Sequence, residues 1–144
     1  MDDSYKARGK LKEPSACTDC GAIFQGGRWC WEARPPQAHE VVCPACQRIR
    51  DAQPAGYLTL KGDFLAQHRD EILNILHNVE AREKAEHPLQ RIMALSDTAE
   101  GILVTTTDAH LARDLGVALK NACQGELESN YAEDENMVRV LWHR

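Results

Sequence analysis

Six cysteines stand in this 144-residue chain, and four of them form two Cys-x-x-Cys pairs: Cys17 with Cys20 in "CTDCG", and Cys43 with Cys46 in "CPAC". A thiolate is a strong, soft ligand, and two residues between cysteines let one tight turn aim both sulfurs at a single ion. Gly21, directly after the second cysteine, permits the close backbone approach that such a turn needs. Four thiolates around one ion make a closed tetrahedral site, with no open position at which to activate water. The spacing therefore predicts a structural metal held by Cys17, Cys20, Cys43 and Cys46, with zinc as the ion and iron as the alternative. "CTDCG" and "CPAC" are also similar to the iron-binding knuckles of rubredoxins, although Gln47 stands where their second knuckle has a glycine.

The neighbouring residues divide into packing and contact. Cys30, between Trp29 and Trp31, reads as a strand residue and not a fifth ligand, and His39 is a weaker substitute for any of the four cysteines. Cys123 lies beside an apolar helical face and reads as a small buried hydrophobe. Trp29 and Trp31 fall on one side of a short strand, either as a small core over the metal turn or as a platform for stacking bases. With Arg28, Arg34, Arg48 and Arg50 they form the candidate surface for RNA or another partner.

No nucleophile with a matching base is apparent. Walker A, G-x-G-x-x-G and G-x-S-x-G sequences are missing. "HRDEILN" (His68 to Asn74) imitates a kinase catalytic loop but is one residue short and sits in a helical pattern, and "AHEVVC" lacks the second histidine of a zincin. "TTTD" (Thr105 to Asp108), followed by His110 and Arg113, is either an anion site at a helix start or an ordinary strand end and cap. The expectation is a protein that is not an enzyme and has no small-molecule substrate.

The bulk composition sets the frame for these residues. Hydrophobic residues make up 43% and charged residues 27%, which is a globular balance. No apolar run is long enough to span a membrane and the first residues form no signal peptide, so a cytoplasmic location with reduced thiols is expected. Net charge is −5, unevenly spread. Residues 1–50 hold eight Lys/Arg and six Asp/Glu, the remainder nine and sixteen. Any contact with nucleic acid is therefore expected from the N-terminal part.

The elements that must position the cysteines follow from periodicity and turn residues. Residues 1–13 read as a polar, basic arm with Lys6, Arg8, Lys10 and Lys12 at alternate positions. Residues 14–51 form the zinc-ribbon module, with "AIF" and "RWCW" as strands around a Gly26-Gly27 turn. Residues 52–62 read as a linker broken by Pro54 and Gly56.

The 63–144 domain then follows. Asp63 is expected to cap a long helix carrying Phe64, Leu65, Ile72, Ile75, Leu76 and Val79, which stops at His87-Pro88. "RIMAL" and "ILVTTT" read as a hairpin, and Thr107 or Asp108 caps a second helix with Leu111, Leu115, Leu119 and Ala122 on one face. After Gly125, "ELESNY", the acidic turn "AEDEN" and "MVRVLW" complete a last pair of strands. The fold class is thus α+β: a small zinc ribbon followed by an αββαββ domain. Its four-stranded antiparallel sheet would carry two helices on one face.

Taken together, "CTDCG", "CPAC", "PAGYLTLKGDFLAQHRDEILN" (Pro54 to Asn74), "EHPLQRIM" (Glu86 to Met93), "TTTDAHLARDLG" (Thr105 to Gly116) and "MVRVLW" (Met137 to Trp142) resemble a family of short bacterial zinc-ribbon proteins. That family is loosely related to the archaeal and eukaryotic adaptor for export of the large ribosomal subunit. The resemblance covers almost the whole chain. It implies that the ribbon, and the sheet behind it, meets ribosomal RNA or ribosomal protein. The adaptors carry more Cys-x-x-Cys pairs than the two found here, so only one metal is implied. Three readings result: a zinc-stabilised protein that associates with ribosomes or structured RNA, a protein–protein adaptor that never touches nucleic acid, and a rubredoxin-like iron protein.

Overall fold

The computed structural model describes residues 11–132 and 137–144, and among these the chain forms two sheets and four helices. Lys6, Arg8 and Lys10 of the basic arm, and most of the "AEDEN" turn, lie outside the described residues.

The first unit is built from short pieces. Strands β1 (Ser15–Cys17), β2 (Ile23–Gln25), β3 (Arg28–Cys30) and β4 (His39–Val41) make a sheet in the order β3-β2-β1-β4, in which β1 and β4 run parallel. Gly26 and Gly27 both take positive φ, at 66° and 77°, the geometry that a two-residue turn between twisted antiparallel strands demands. An unforeseen helix, α1 (Pro44–Asp51), starts inside the second cysteine pair. Cys43 is its N-cap and accepts a hydrogen bond from the Cys46 N–H, while Pro44 fills the first helical position, where a missing N–H costs nothing.

The second unit has a five-stranded mixed sheet and not the expected four-stranded antiparallel one. Residues 56–61, expected to be linker, form strand β5 (Gly56–Lys61) at the centre of the sheet. Leu58 and Leu60 point inward and Tyr57, Thr59 and Lys61 outward, the strict alternation of a strand covered on one face. Pro54 and Gly62 bound the strand and do not mark a spacer. The hairpins foreseen on either side are present. Strands β6 (Ile92–Asp97) and β7 (Gly101–Thr106) form one, and β8 (Glu126–Ala132) and β9 (Met137–His143) the other. Strand β5 sits between them, antiparallel to β7 and parallel to β9, in the order β6-β7-β5-β9-β8.

The long helix is also divided. Helix α2 (Asp63–Gln67) ends at His68, whose φ of −127° and ψ of 30° leave the helical region, and α3 (Arg69–Glu86) follows. Asp63 lies in the first turn of α2 and is not its cap, a position held by Gly62 at φ 114°. In α4 (Ala109–Cys123), Asp108 is the cap and accepts from the Leu111 N–H at 3.1 Å. Cys123, not Ala122, completes the buried stripe of Leu111, Leu115 and Leu119.

Helices α3 and α4 share one core with the inner face of the sheet. Ile72, Leu76 and Val79 from α3 meet the α4 stripe, Leu58 and Leu60, Ile102 and Val104, and Val138, Val140 and Trp142. Trp142 is fully buried, and its indole N–H donates to the Gln124 carbonyl at 2.8 Å, so burial leaves no polar atom unpaired. The core gives the α3–β6 connection a rigid base, and that connection carries the residues that reach the cysteines. Among the described residues no helix is long and apolar enough to cross a membrane.

Candidate metal centre

The four cysteines predicted as ligands converge. Cys17 ends β1, Cys20 closes the turn before β2, Cys43 follows β4, and Cys46 lies in the first turn of α1; their Sγ atoms all lie within 4.8 Å of one another. The parallel pairing of β1 with β4, Cys17 opposite Val41, brings the two knuckles side by side. Each turn is tied by its own backbone: Gly21 donates to the Cys17 carbonyl at 3.0 Å in the first, and Gln47 to the Cys43 carbonyl at 2.9 Å in the second.

The donor set fits a metal ion. A tetrahedron with metal–sulfur bonds of about 2.3 Å has edges of about 3.8 Å. The Sγ atoms of Cys20 and Cys43 are 3.8 Å apart. The site is thus compatible with one ion such as zinc or iron, bound by thiolates alone. Cys43 and Cys46 are buried and Cys20 partly so, in a small apolar cluster with Ala45, Trp29, Val42 and Leu89.

Backbone amides support the sulfurs. Cys43 N–H donates to Cys17 Sγ at 3.2 Å, and Cys46 N–H to Cys43 Sγ at 3.4 Å. Burial by itself would raise the Cys17 thiol, but N–H donors from Cys43, Cys20 and Asp19 outweigh it and bring it down to about 7. Burial dominates at Cys43 and pushes that thiol up. At Cys46 it does so too, against the nearby Arg91.

The residue that sequence reasoning missed is Arg91. It enters from the connection between α3 and β6 and is 7% exposed. Its Nη1 lies 3.1 Å from Cys46 Sγ, and its Nη2 lies 3.0 Å from Cys20 Sγ and 3.5 Å from Cys43 Sγ. Its Nε donates to the Pro88 carbonyl at 2.9 Å. Burial disfavours the charged guanidinium, but the thiols of Cys46, Cys20 and Cys43 outweigh it and hold the proton more firmly than usual. Nothing in the spacing of "EHPLQRIM" points to cysteines 45 to 71 residues upstream. Only the fold brings them together.

Thr107 braces that connection. The Arg91 N–H donates to Thr107 Oγ1 at 2.9 Å, and the hydroxyl donates to the Leu89 carbonyl at 2.6 Å. Thr106 Oγ1 donates to the Asp108 carbonyl at 2.7 Å, and Asp108 caps α4. The Thr106 and Thr107 hydroxyls of "TTTD" are therefore engaged inside the protein and Asp108 caps α4, which explains these positions without an anion. Cys30 Sγ lies 3.4 Å from the Ile23 carbonyl, outside the four-sulfur cluster, and His39 is exposed on β4, also outside it.

No protein-family model matches the chain. No curated protein matches it either.

The candidate contact residues are not gathered on one face. Arg48 is 7% exposed, and its Nη1 donates to the Gln53 carbonyl at 2.8 Å, closing the exit from α1. Arg50 forms a two-point pair with Asp19 of the first knuckle, at 2.7 and 2.6 Å. Trp29 packs on Phe24, with ring centroids 5.4 Å apart, and over the cysteine cluster. Trp31 is 37% exposed but its indole N–H donates to the Lys84 carbonyl. Arg28 is exposed, and Arg34 is exposed with Glu40 3.8 Å away.

Proposed function

We propose that this is a non-enzymatic, zinc-binding protein that associates with ribosomes or structured RNA in the cytoplasm. The observation that carries the first half is the convergence of Cys17, Cys20, Cys43 and Cys46 on one point, all as thiol ligands. An all-thiolate tetrahedral site leaves no coordination position for substrate or water, so the metal's part is to hold the ribbon's shape. Binding of this kind supplies on the order of 10–16 kcal/mol of apparent folding free energy, ample for a module of three-residue strands. Zinc is favoured over iron because Gln47 departs from the rubredoxin pattern and the chain carries a whole second unit beside the ribbon.

The association with RNA is supported by the resemblance and by the exposure of Arg28 and Arg34. The Arg34–Glu40 pair is long and exposed, and such pairs contribute little, so a phosphate competes readily for the guanidinium. Arg48 and Arg50 are held by Gln53 and Asp19, which assigns them to ribbon structure first.

Co-sedimentation of the purified protein with ribosomal particles across a salt titration tests this reading. Binding that weakens steeply with salt, and weakens further in an R28E/R34E double variant, is expected. Absence of association at low salt overturns it.

A second reading, a protein–protein adaptor, is favoured by the burial of Arg48 and the pairing of Arg50, which reduce the basic surface. Recovery of one stoichiometric protein without ribosomal components would select it. A rubredoxin-like iron centre is the third, and colour decides it, since an oxidised iron–sulfur tetrahedron is red and zinc is colourless.

A further inference from the structure

We propose that Arg91 couples occupancy of the metal site to docking of the ribbon on the larger unit, so that metal retention and interface closure are one equilibrium. The inference rests on a metal being held by the four cysteines and goes beyond it by assigning a role to a residue outside the ligand set.

The geometry is that of a bridge with two anchored ends. One end is the guanidinium, whose fork reaches Cys20 of the first knuckle and Cys43 and Cys46 of the second. The other is the backbone of residues 89–91, tied to Thr107 by three contacts: Arg91 N–H to Thr107 Oγ1, Thr107 Oγ1–H to the Leu89 carbonyl, and Thr107 N–H to the Arg91 carbonyl at 2.9 Å. Thr107 in turn directly follows β7 and precedes the cap of α4, both part of the main core. A rigid path therefore runs from the sulfurs to the sheet through one side chain.

The charges make this path conditional. A doubly charged ion ringed by four thiolates keeps a negative surplus, and a guanidinium against three of the sulfurs offsets part of it. That ion also fixes the sulfurs of both knuckles at the spacing that the guanidinium fork spans. Without it the knuckles are free to part, and a nearly buried arginine loses sulfurs that it reaches only while they are held together, which leaves the Pro88 carbonyl as its fixed contact. A buried guanidinium without a counter-charge is strongly unfavourable, so the side chain is expected to leave and the 88–92 connection to loosen. Lysine could supply the charge but not the fork that spans both knuckles. By linkage, whatever Arg91 adds to docking when metal is bound it must add equally to metal binding when the units are docked.

The experiment uses the full chain loaded with Zn²⁺, as wild type, R91M and R91K. Metal content is measured first, then competition with a chromophoric chelator, then hydrogen exchange with and without chelator. Wild type is expected to hold one ion per chain and R91M to hold it about 10–100-fold less tightly, the usual size for a partner behind the ligands. R91K should recover part of the loss. In wild type, chelation is expected to speed exchange at the amides of Arg91 and Thr107; in R91M these amides exchange fast whether or not metal is bound. The cobalt-substituted proteins separate electrostatics from packing, because loss of N–H donors to sulfur moves the sulfur-to-cobalt charge-transfer band to lower energy in R91M, with partial return in R91K.

Metal affinity of R91M within twofold of wild type, or wild-type exchange at Arg91 and Thr107 that ignores chelation, overturns the proposal. The chelation arm needs no substitution, so it decides the matter even where R91M folds poorly. A wild-type chain that takes up no metal overturns the metal-site reading as well, and metal analysis alone distinguishes that failure.

Discussion

The indole Nε1 of Trp31 donates to the backbone carbonyl of Lys84 at 2.8 Å, joining the ribbon to the last turn of α3 across 53 residues of chain. Carbonyls of a final helical turn have no partner within the helix, so the indole satisfies one of them while holding the two units together. Trp31→Phe keeps an aromatic ring of smaller size and removes the donor. The expected cost is about 0.5–1 kcal/mol, at the low end because the bond is exposed. Denaturant unfolding of the two proteins side by side measures it, and an unchanged midpoint would assign the contact no stabilising part.

Removal of the metal, or Cys43→Ser, is expected to unmake the ribbon while leaving the main core standing. The buried residues of that core include none of the four ligands. Near-ultraviolet dichroism should lose the contribution of Trp29 and Trp31 on chelation and keep that of Trp142, which is buried in the main core. The helical signal from α3 and α4 should persist. A single cooperative loss of both signals would mean that the larger unit cannot fold without the ribbon.

Two glycines mark close approaches whose obstacles differ in kind. A Cβ at Gly101 would stand 2.0 Å from the Leu60 carbonyl oxygen, where β7 meets β5. A Cβ at Gly116 would meet Leu127 Cδ1 at 2.8 Å and Val140 Cγ1 at 3.0 Å, where α4 lies on the sheet. Backbone in a central strand pair cannot step aside, whereas methyl groups can shift. Gly101→Ala is therefore expected to cost about 3 kcal/mol or more and Gly116→Ala about 1 kcal/mol. Thermal unfolding gives the order, and the reverse order contradicts the argument.

Asp114 on α4 is an exposed residue whose carboxyl is pushed up, by partial desolvation first and then by Glu83 and Asp108, against the pull of His110 and Arg113. The folded state thus holds this proton more tightly than the unfolded state does. Stability from this group is fully present below the unfolded carboxyl range and is lost as pH rises through the raised value. Asp114→Asn should then raise the midpoint of thermal unfolding at neutral pH, with the advantage shrinking as the pH is lowered. An advantage that is constant with pH would assign it to something other than charge.

Much of the site was legible from the cysteines because ligand geometry there is local. Two residues between cysteines, a glycine after the first pair and a proline inside the second describe two tight turns whatever lies around them. The inward face of β9 was equally plain, since Val138, Val140 and Trp142 alternate without interruption. Strand β5 carried an equally clean alternation, yet Pro54 and Gly56 read as the marks of a spacer. Pro54 precedes the strand and so removes no hydrogen bond from its ladder, and Gly56 lies where a Cβ would collide with Thr106 and Ala112. The pattern was present, and the breakers beside it pointed the other way.

The amino-acid sequence by itself determined the two cysteine knuckles, the two strand hairpins and most of the apolar stripes of both main helices, because each depends on spacings of a few residues that backbone geometry converts directly into direction. Tertiary structure alone decided that β5 joins the two hairpins into one mixed sheet and that Arg48 turns inward while Arg50 seeks Asp19. It alone set Arg91 against the cysteines. Those outcomes depend on which distant surfaces meet, and a charged residue's role follows from the partner that the fold places beside it.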